Sequence, residues 1–258
     1  ARMAVVKPST WRDYHAAIRA FVAAVGRETP VSALVADVFA RVRREWAATL
    51  GVYRLGNRVA AVRTMFRWAQ ENQVIARVPE YGRAWGKPGQ GEYRASRRKR
   101  VEQHGVRAFE PDELAAIFAA ATPRWRLLIL LALHRALYSS DIGELLWADV
   151  RDGMIVRRRT KTEVDQRFAL WPEVAAGLAE LPRRHERVFV TSQGRPMNVA
   201  RDTIGTGFWQ MLRRRGIKLR RGVGFGSLRH THVRAVNDHP DRVAVLLTRG
   251  HEVGGMDR

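Results

Sequence analysis

The sequence predicts a mainly helical chain in two parts: an all-helical N-terminal part, and a helical C-terminal part carrying a small antiparallel sheet. Three observations predict it. Apolar residues recur at helical spacing through most of the 258 residues. A stretch rich in Gly, Pro and Arg interrupts that pattern between Pro79 and Arg100. Two alternating runs, "MIVRRRT" and "QRFALW", flank the polar turn "KTEVD" in the C-terminal half. The domain limits that follow are residues 1–80 for the helical N-terminal domain, 81–107 for a basic linker and 108–258 for the second domain.

The elements follow in order. "STWRDYHAAIRAFVAAVG" has a Ser-Thr start, a Gly stop, and Trp11, Tyr14, Ile18, Phe21 and Val25 at helical spacing. "PVSALVADVFARVRREWAATLG" reads as a second helix ending at Gly51. "YRLGNRVAAVRTMFRWAQENQVI" reads as a third, with Val59, Val62, Phe66 and Ala69 inward and Arg58, Arg63 and Arg67 outward. "FEPDELAAIFAAA" opens the second domain with a Pro-Asp-Glu helix start. "PRWRLLILLALHRAL" is apolar enough for a buried helix, and "SSDIGELLWADV" starts at a serine cap. After the hairpin come a helix at "PEVAAGLAELP", a short strand or extended piece at "RVFVTS", and helices at "ARDTIGTGFWQMLRRRG" and "SLRHTHVRAVND". "RVAVLLTRGH" completes the unit.

Charge narrows the function. Lys and Arg total 46 against 25 acids, a formal net charge of +21. An excess of that size calls for a polyanionic partner, and nucleic acid is the first candidate because neutralising phosphates releases condensed counterions. Most of these cations are Arg, which suits bidentate phosphate contacts. The run Arg97, Arg98, Lys99, Arg100 reads as a strap along a phosphate backbone, with Arg58, Arg63 and Arg159 as further DNA contacts. The absence of cysteine excludes disulfides, thiolate metal sites and a Cys nucleophile. The longest apolar run, "LLILLAL", is too short to span a bilayer, so no membrane role is expected.

"GFGSLRHTH", from Gly224 to His232, puts Arg229, His230 and His232 on the first turns of a helix. In that company the order of pieces resembles the tyrosine recombinase, or phage integrase, family over essentially the full length. "LGNRVAAVRTMFRWAQENQVIARVP" resembles the last long helix of that family's core-binding domain. "LALHRALYSSDIGELLWADV" resembles the helix pair that carries the first catalytic arginine. "RRRTKTEVDQRFALWPEV" resembles the hairpin with the catalytic lysine, "GSLRHTH" the box with the second arginine, and "LLTRGHEVGG" the box with the last histidine. Each piece alone is weak; five in the right order with the right gaps are specific.

The resemblance implies a SAM-like helical core-binding domain followed by a catalytic domain of the DNA breaking-rejoining type. It implies site-specific integration or recombination by metal-free phosphotyrosyl strand exchange, with no cofactor. A tyrosine oxygen attacks the scissile phosphorus, two guanidiniums hold the non-bridging oxygens, and a lysine protonates the leaving oxygen. Carried over by position, Arg229 takes the second-arginine role, Lys161 the leaving-group acid role and His251 the last-histidine role. His230 is mostly structural, and Asp141 and Asp149 match acidic positions flanking the first-arginine helix. The partners implied are double-stranded DNA and further copies of the chain on DNA, as dimer or tetramer. The setting implied is cytoplasmic, nucleoid-associated and bacterial or phage-type.

Two positions depart from the pattern. Tyr138 stands where the family places its first arginine, and Gly226 stands where it places the histidine of its His-x-x-Arg box. Losing one charged donor of this kind costs a factor on the order of 10²–10³ in rate, so the expected chemistry is impaired. Arg135, three residues before Tyr138, is a candidate to reach in from the same helical face. The nucleophilic tyrosine is expected past Arg258, and Tyr14, Tyr53, Tyr81 and Tyr93 are not placed to replace it. The competing readings are a catalytically inactive DNA-binding module of the same fold, and a basic helical RNA-binding protein.

Overall fold

The computed structural model describes residues 6–158, 165–197, 202–237 and 239–241. The chain divides after Gln103 into two compact units.

The first unit is built from α1 (Pro8–Val25), α2 (Ala36–Thr49), α3 (Val52–Glu71) and α4 (Gln90–His104). Helix α1 starts on Pro8, whose missing N–H costs nothing at a helix start, and stops at Gly26, whose φ of +93° lies outside the helical region. One face of each of α1–α3 converges on an aromatic core of Phe21, Phe39, Trp46, Phe66 and Trp85, with Leu55, Val59 and Val62 filling between them. Their rings meet mostly edge to face; Phe39 lies 5.2 Å from Trp85 and 5.0 Å from Tyr81 between ring centres, the arrangement that ring quadrupoles favour. Of the residues at helical spacing on α1, Trp11 is 36% exposed, and Ala17 and Phe21 carry the buried face. The second helix does not run unbroken from Pro30: a 3-10 turn at Val31–Ala33 is followed by extended backbone at Val35, which lets Leu34 bury its side chain.

The stretch from Pro79 to Arg100 is not featureless. Trp85 is fully buried in the aromatic core. Residues Gln90–His104 form α4, a basic helix with no buried residue, whose Tyr93 ring packs 5.0 Å from that of Tyr53 on α3.

The second unit contains α5 (Pro111–Ala120), α6 (Pro123–His134), α7 (Ser139–Gly143), β1 (Val150–Arg151), β2 (Met154–Arg158), β3 (Asp165–Ala169), α8 (Pro172–Ala179), α9 (Thr203–Arg214) and α10 (Ser227–Val236). The three strands form one antiparallel sheet in the order β1-β2-β3, with Ile155 opposite Val150 on one side and Phe168 on the other. Helix α6 is buried on most of its circumference through Leu127, Leu128, Ile129, Leu131 and Ala132, as its apolar sequence predicts. It packs against both α8 and α10. "RVFVTS" is an extended piece with isolated bridges, Arg187 to Leu146 and Val190 to Pro196, among the described residues. The turn of the β2–β3 hairpin, including Arg159 and Lys161, lies outside the described residues, as does His251. Among the described residues no helix is long and apolar enough to cross a membrane.

Candidate functional site

The site forms where the end of α6, the start of α7 and the first turns of α10 meet. Helix α6 ends at His134 because Ala136 turns left-handed, at φ +52°. A residue with a Cβ rarely adopts that conformation, and such strain gathers where surrounding structure enforces it. Leu137 then buries its side chain, and Tyr138 is the cap residue that precedes α7.

Helix α10 is fixed against this corner by a series of hydrogen bonds. The His232 ring donates from Nδ1 to the Leu133 carbonyl at 2.6 Å. Thr231 Oγ1 accepts the Phe109 N–H at 2.8 Å and donates to the Ser227 carbonyl. Arg234 pairs with Glu110 at 2.7 Å. Leu228 is fully buried between these anchors. One position beyond Leu228, Arg229 therefore faces the corner: its Nη1 donates to the Ala136 carbonyl, and its guanidinium carbon lies 4.4 Å from the centre of the Tyr138 ring. Arg229 is half-buried and Tyr138 is 38% exposed, so the pair borders solvent.

Behind Tyr138 the backbone is held from two directions. Asp141, 4% exposed, accepts the Tyr138 N–H at 3.0 Å. Its own carbonyl accepts Nη1 of Arg157, a buried residue on β2. Asp149 does the same service for the Leu146 N–H, at 3.0 Å. Both aspartates thus act as local caps.

The structure brings together Arg229, Tyr138 and Asp141. Gly226 caps the start of α10 at φ −61° and ψ −15°, exposed, and among the described residues no neighbouring side chain lies within 4 Å of where its Cβ would be. His230 points to the exposed side of α10. Arg135 does not serve the site, which corrects the expectation of a shared helical face. The helix has already ended at His134, and the Arg135 guanidinium lies 5.0 Å from the Phe168 ring centre, where burial lowers its pKa. His134 is buried and donates from Nε2 to the Ala169 carbonyl at 2.7 Å, and burial lowers its pKa. It ties α6 to the sheet.

Three contributions are not evident from the sequence pattern alone. Arg157 carries a usable signal: it alternates with Ile155 on the buried face of β2. The anchoring role of His232 carries one too, since it lies four residues after Leu228 on the inward stripe of α10. The Ala136 carbonyl carries none, because no glycine or proline marks the corner.

In the first unit, Arg58 is half-buried with its guanidinium 5.2 Å from the Trp46 ring centre, and Arg63 lies 5.0 Å from that of Tyr81. Burial raises the Tyr81 pKa, against the opposing pull of Arg63 and Arg67. On α4, Arg97, Arg98 and Lys99 are exposed and Arg100 is half-buried.

No protein-family model matches the sequence, and no curated protein matches it. Solved structures do match in fold. A lambda integrase fragment (residues 75–356), solved as a dimer bound to a COC′ core site, superposes with a TM-score of 0.74 at 17% identity, covering 98% of this chain and 92% of that one. A lambda integrase tetramer bound to a Holliday junction gives 0.69 at 18% identity, covering 98% and 74%. The Tn1549 transposon integrase in complex with transposon right-end DNA gives 0.67 at 13% identity, covering 95% and 86%. The chain therefore has the fold of these integrases, mostly helical with one small three-stranded antiparallel sheet in its second unit.

Proposed function

We propose that this chain is a DNA-binding, site-specific recombinase or integrase that exchanges strands through a phosphotyrosyl link, at a rate reduced by its two replaced positions. The observation that carries the reading is Arg229. Its guanidinium is held at a solvent-bordering corner by the Ala136 carbonyl and the Tyr138 ring, within a fold shared with DNA-bound integrases, in a chain of net charge +21. A guanidinium is the side chain best suited to grip the non-bridging oxygens of a phosphodiester.

In this mechanism a tyrosine oxygen attacks the scissile phosphorus, the bond to the 5′ oxygen breaks, and Lys161 delivers the proton that the leaving oxygen takes up. Arg229 binds the oxygens on which charge builds. His251 assists proton transfer, and the basic residues of α3 and α4 contact duplex backbone. As in the DNA-bound dimers and tetramers of the structural neighbours, copies of the chain assemble on DNA.

A second reading rests on Tyr138 and Gly226: the same fold binding DNA without cutting it. The two are separated by incubating the protein, as its gene encodes it, with a nicked suicide duplex of its own element's end. A protein–DNA adduct that survives denaturation and is lost in R229K supports the recombinase. No adduct at saturating protein, with binding intact, supports the binding module.

A further inference from the structure

We infer that Tyr138 is a positioning residue that holds the Arg229 guanidinium ready for phosphate before any DNA arrives. This deepens the proposed strand-exchange reading and rests on it.

The guanidinium carbon of Arg229 lies 4.4 Å from the centre of the Tyr138 ring, within the range of a cation–π contact. A guanidinium carries five N–H donors. One of them is directed to the Ala136 carbonyl. The ring and the carbonyl therefore restrain the guanidinium at two points.

The platform is itself fixed. The Tyr138 N–H is bound by the buried Asp141 carboxylate at 3.0 Å, and the Asp141 carbonyl by the buried Arg157. Ala136, two residues earlier, is in the left-handed region at φ +52°. A corner that holds a strained alanine and three interlocked side chains is more than a spacer.

Charge completes the inference. A second guanidinium at position 138 would repel Arg229 until a phosphate neutralised both. A tyrosine attracts it instead. The chain therefore gives up one charged donor and holds the remaining one in place in the substrate-free protein, which lowers the ordering cost of binding. Tyr138 acts through Arg229, and its ring, not its hydroxyl, does the holding.

The test uses Y138L, Y138F, R229Q and the double variant Y138L/R229Q. The first readout needs no DNA: the Arg229 Nε–H resonance, assigned by its loss in R229K. Ring current shifts it upfield in the native protein; Y138L removes the shift and Y138F restores it. The second is affinity for a labelled duplex. Y138L weakens it about two- to fivefold, the size of an exposed cation–π contact, Y138F restores it, and Y138L adds nothing in the R229Q background. The inference is overturned if Y138F behaves like Y138L in both readouts, or if the Y138L loss persists beside R229Q. If the native protein binds no DNA, the strand-exchange reading fails, and the resonance shift alone decides whether Tyr138 holds Arg229.

Discussion

Replacing Arg98 and Lys99 by alanine should flatten the salt dependence of DNA binding without unfolding the protein. The reasoning starts from α4, which runs from Gln90 to His104 with no buried residue. Residues of a helix advance by about 100° each. On that wheel Tyr93, Ser96, Arg100 and His104, all half-buried, share one side, while Arg94, Arg98 and Lys99, all exposed, occupy the opposite arc. Arg97 is exposed on the flank of the inner side. A rod-like duplex touches one arc, not the whole circumference. Each phosphate contact contributes about 0.9 to the slope of log affinity against log salt, so R98A/K99A should remove about 1.8. Between about 50 and 200 mM salt that is about a tenfold change in how far affinity falls. R97A alone should remove no more than about 0.9. Thermal stability should move by less than about 0.5 kcal/mol, as for exposed substitutions away from special features. The assay is fluorescence anisotropy of a labelled duplex across a salt series. An unaltered slope in R98A/K99A, or a drop in R97A as large as that of the pair, would refute the facial reading of α4.

Two further predictions concern the second unit. The Glu113 carboxylate accepts two bonds from Arg220, at 2.7 and 2.8 Å, and the Arg220 hydrogen bond holds its pKa below the ordinary carboxylate value. A lowered carboxylate pKa stabilises the fold above the unfolded value of about 4.3 and ceases to do so as pH falls through the folded one. E113Q should therefore cost about 1 kcal/mol at neutral pH, discounted for partial exposure, and that gap should narrow steadily as pH falls below the unfolded value in paired denaturant melts; a gap that does not narrow on acidification would sink the assignment. At Gly226 the backbone is ordinary and the space around a Cβ is open. G226H should leave stability unchanged within about 0.5 kcal/mol and speed adduct formation on a suicide duplex at least about tenfold if the added imidazole serves as a proton donor. Equal stability with an unaltered rate would show that this position does not face the scissile phosphate.

Much of the architecture was legible because hydrophobic periodicity survives in it. The apolar α6, the alternating β2 and β3, and α10 with its Leu228 stripe all follow their sequence period. What failed to show was breaks without a breaker. Nothing in "PVSALVADVF" announces that the chain will open at Leu34 to bury that side chain, and nothing in "LHRALY" announces a left-handed alanine. Arg135 was misplaced for that reason: a spacing of three means a shared face only while the helix continues. The basic stretch after Pro79 misled in the opposite way. Its low apolar content hides one tryptophan that is fully buried, and its Arg-rich end forms a helix that composition alone does not reveal. At the site, Arg229 and the replaced positions were readable as residues. The partnership of Arg229 with Tyr138 was not, since it depends on a backbone corner that brings two distant segments together.

Trp85 carries a practical consequence. It is fully buried among Phe21, Phe39 and Trp46, although it arrives from a glycine- and proline-flanked stretch downstream of the three helices it completes. Any attempt to excise the N-terminal body, or to graft it onto another protein, must carry this indole along. A fragment trimmed at the third helix would be left with a hole the size of the largest side chain in its centre. The same indole, beside Trp46, offers an intrinsic fluorophore whose emission would report whether such an excised body still closes.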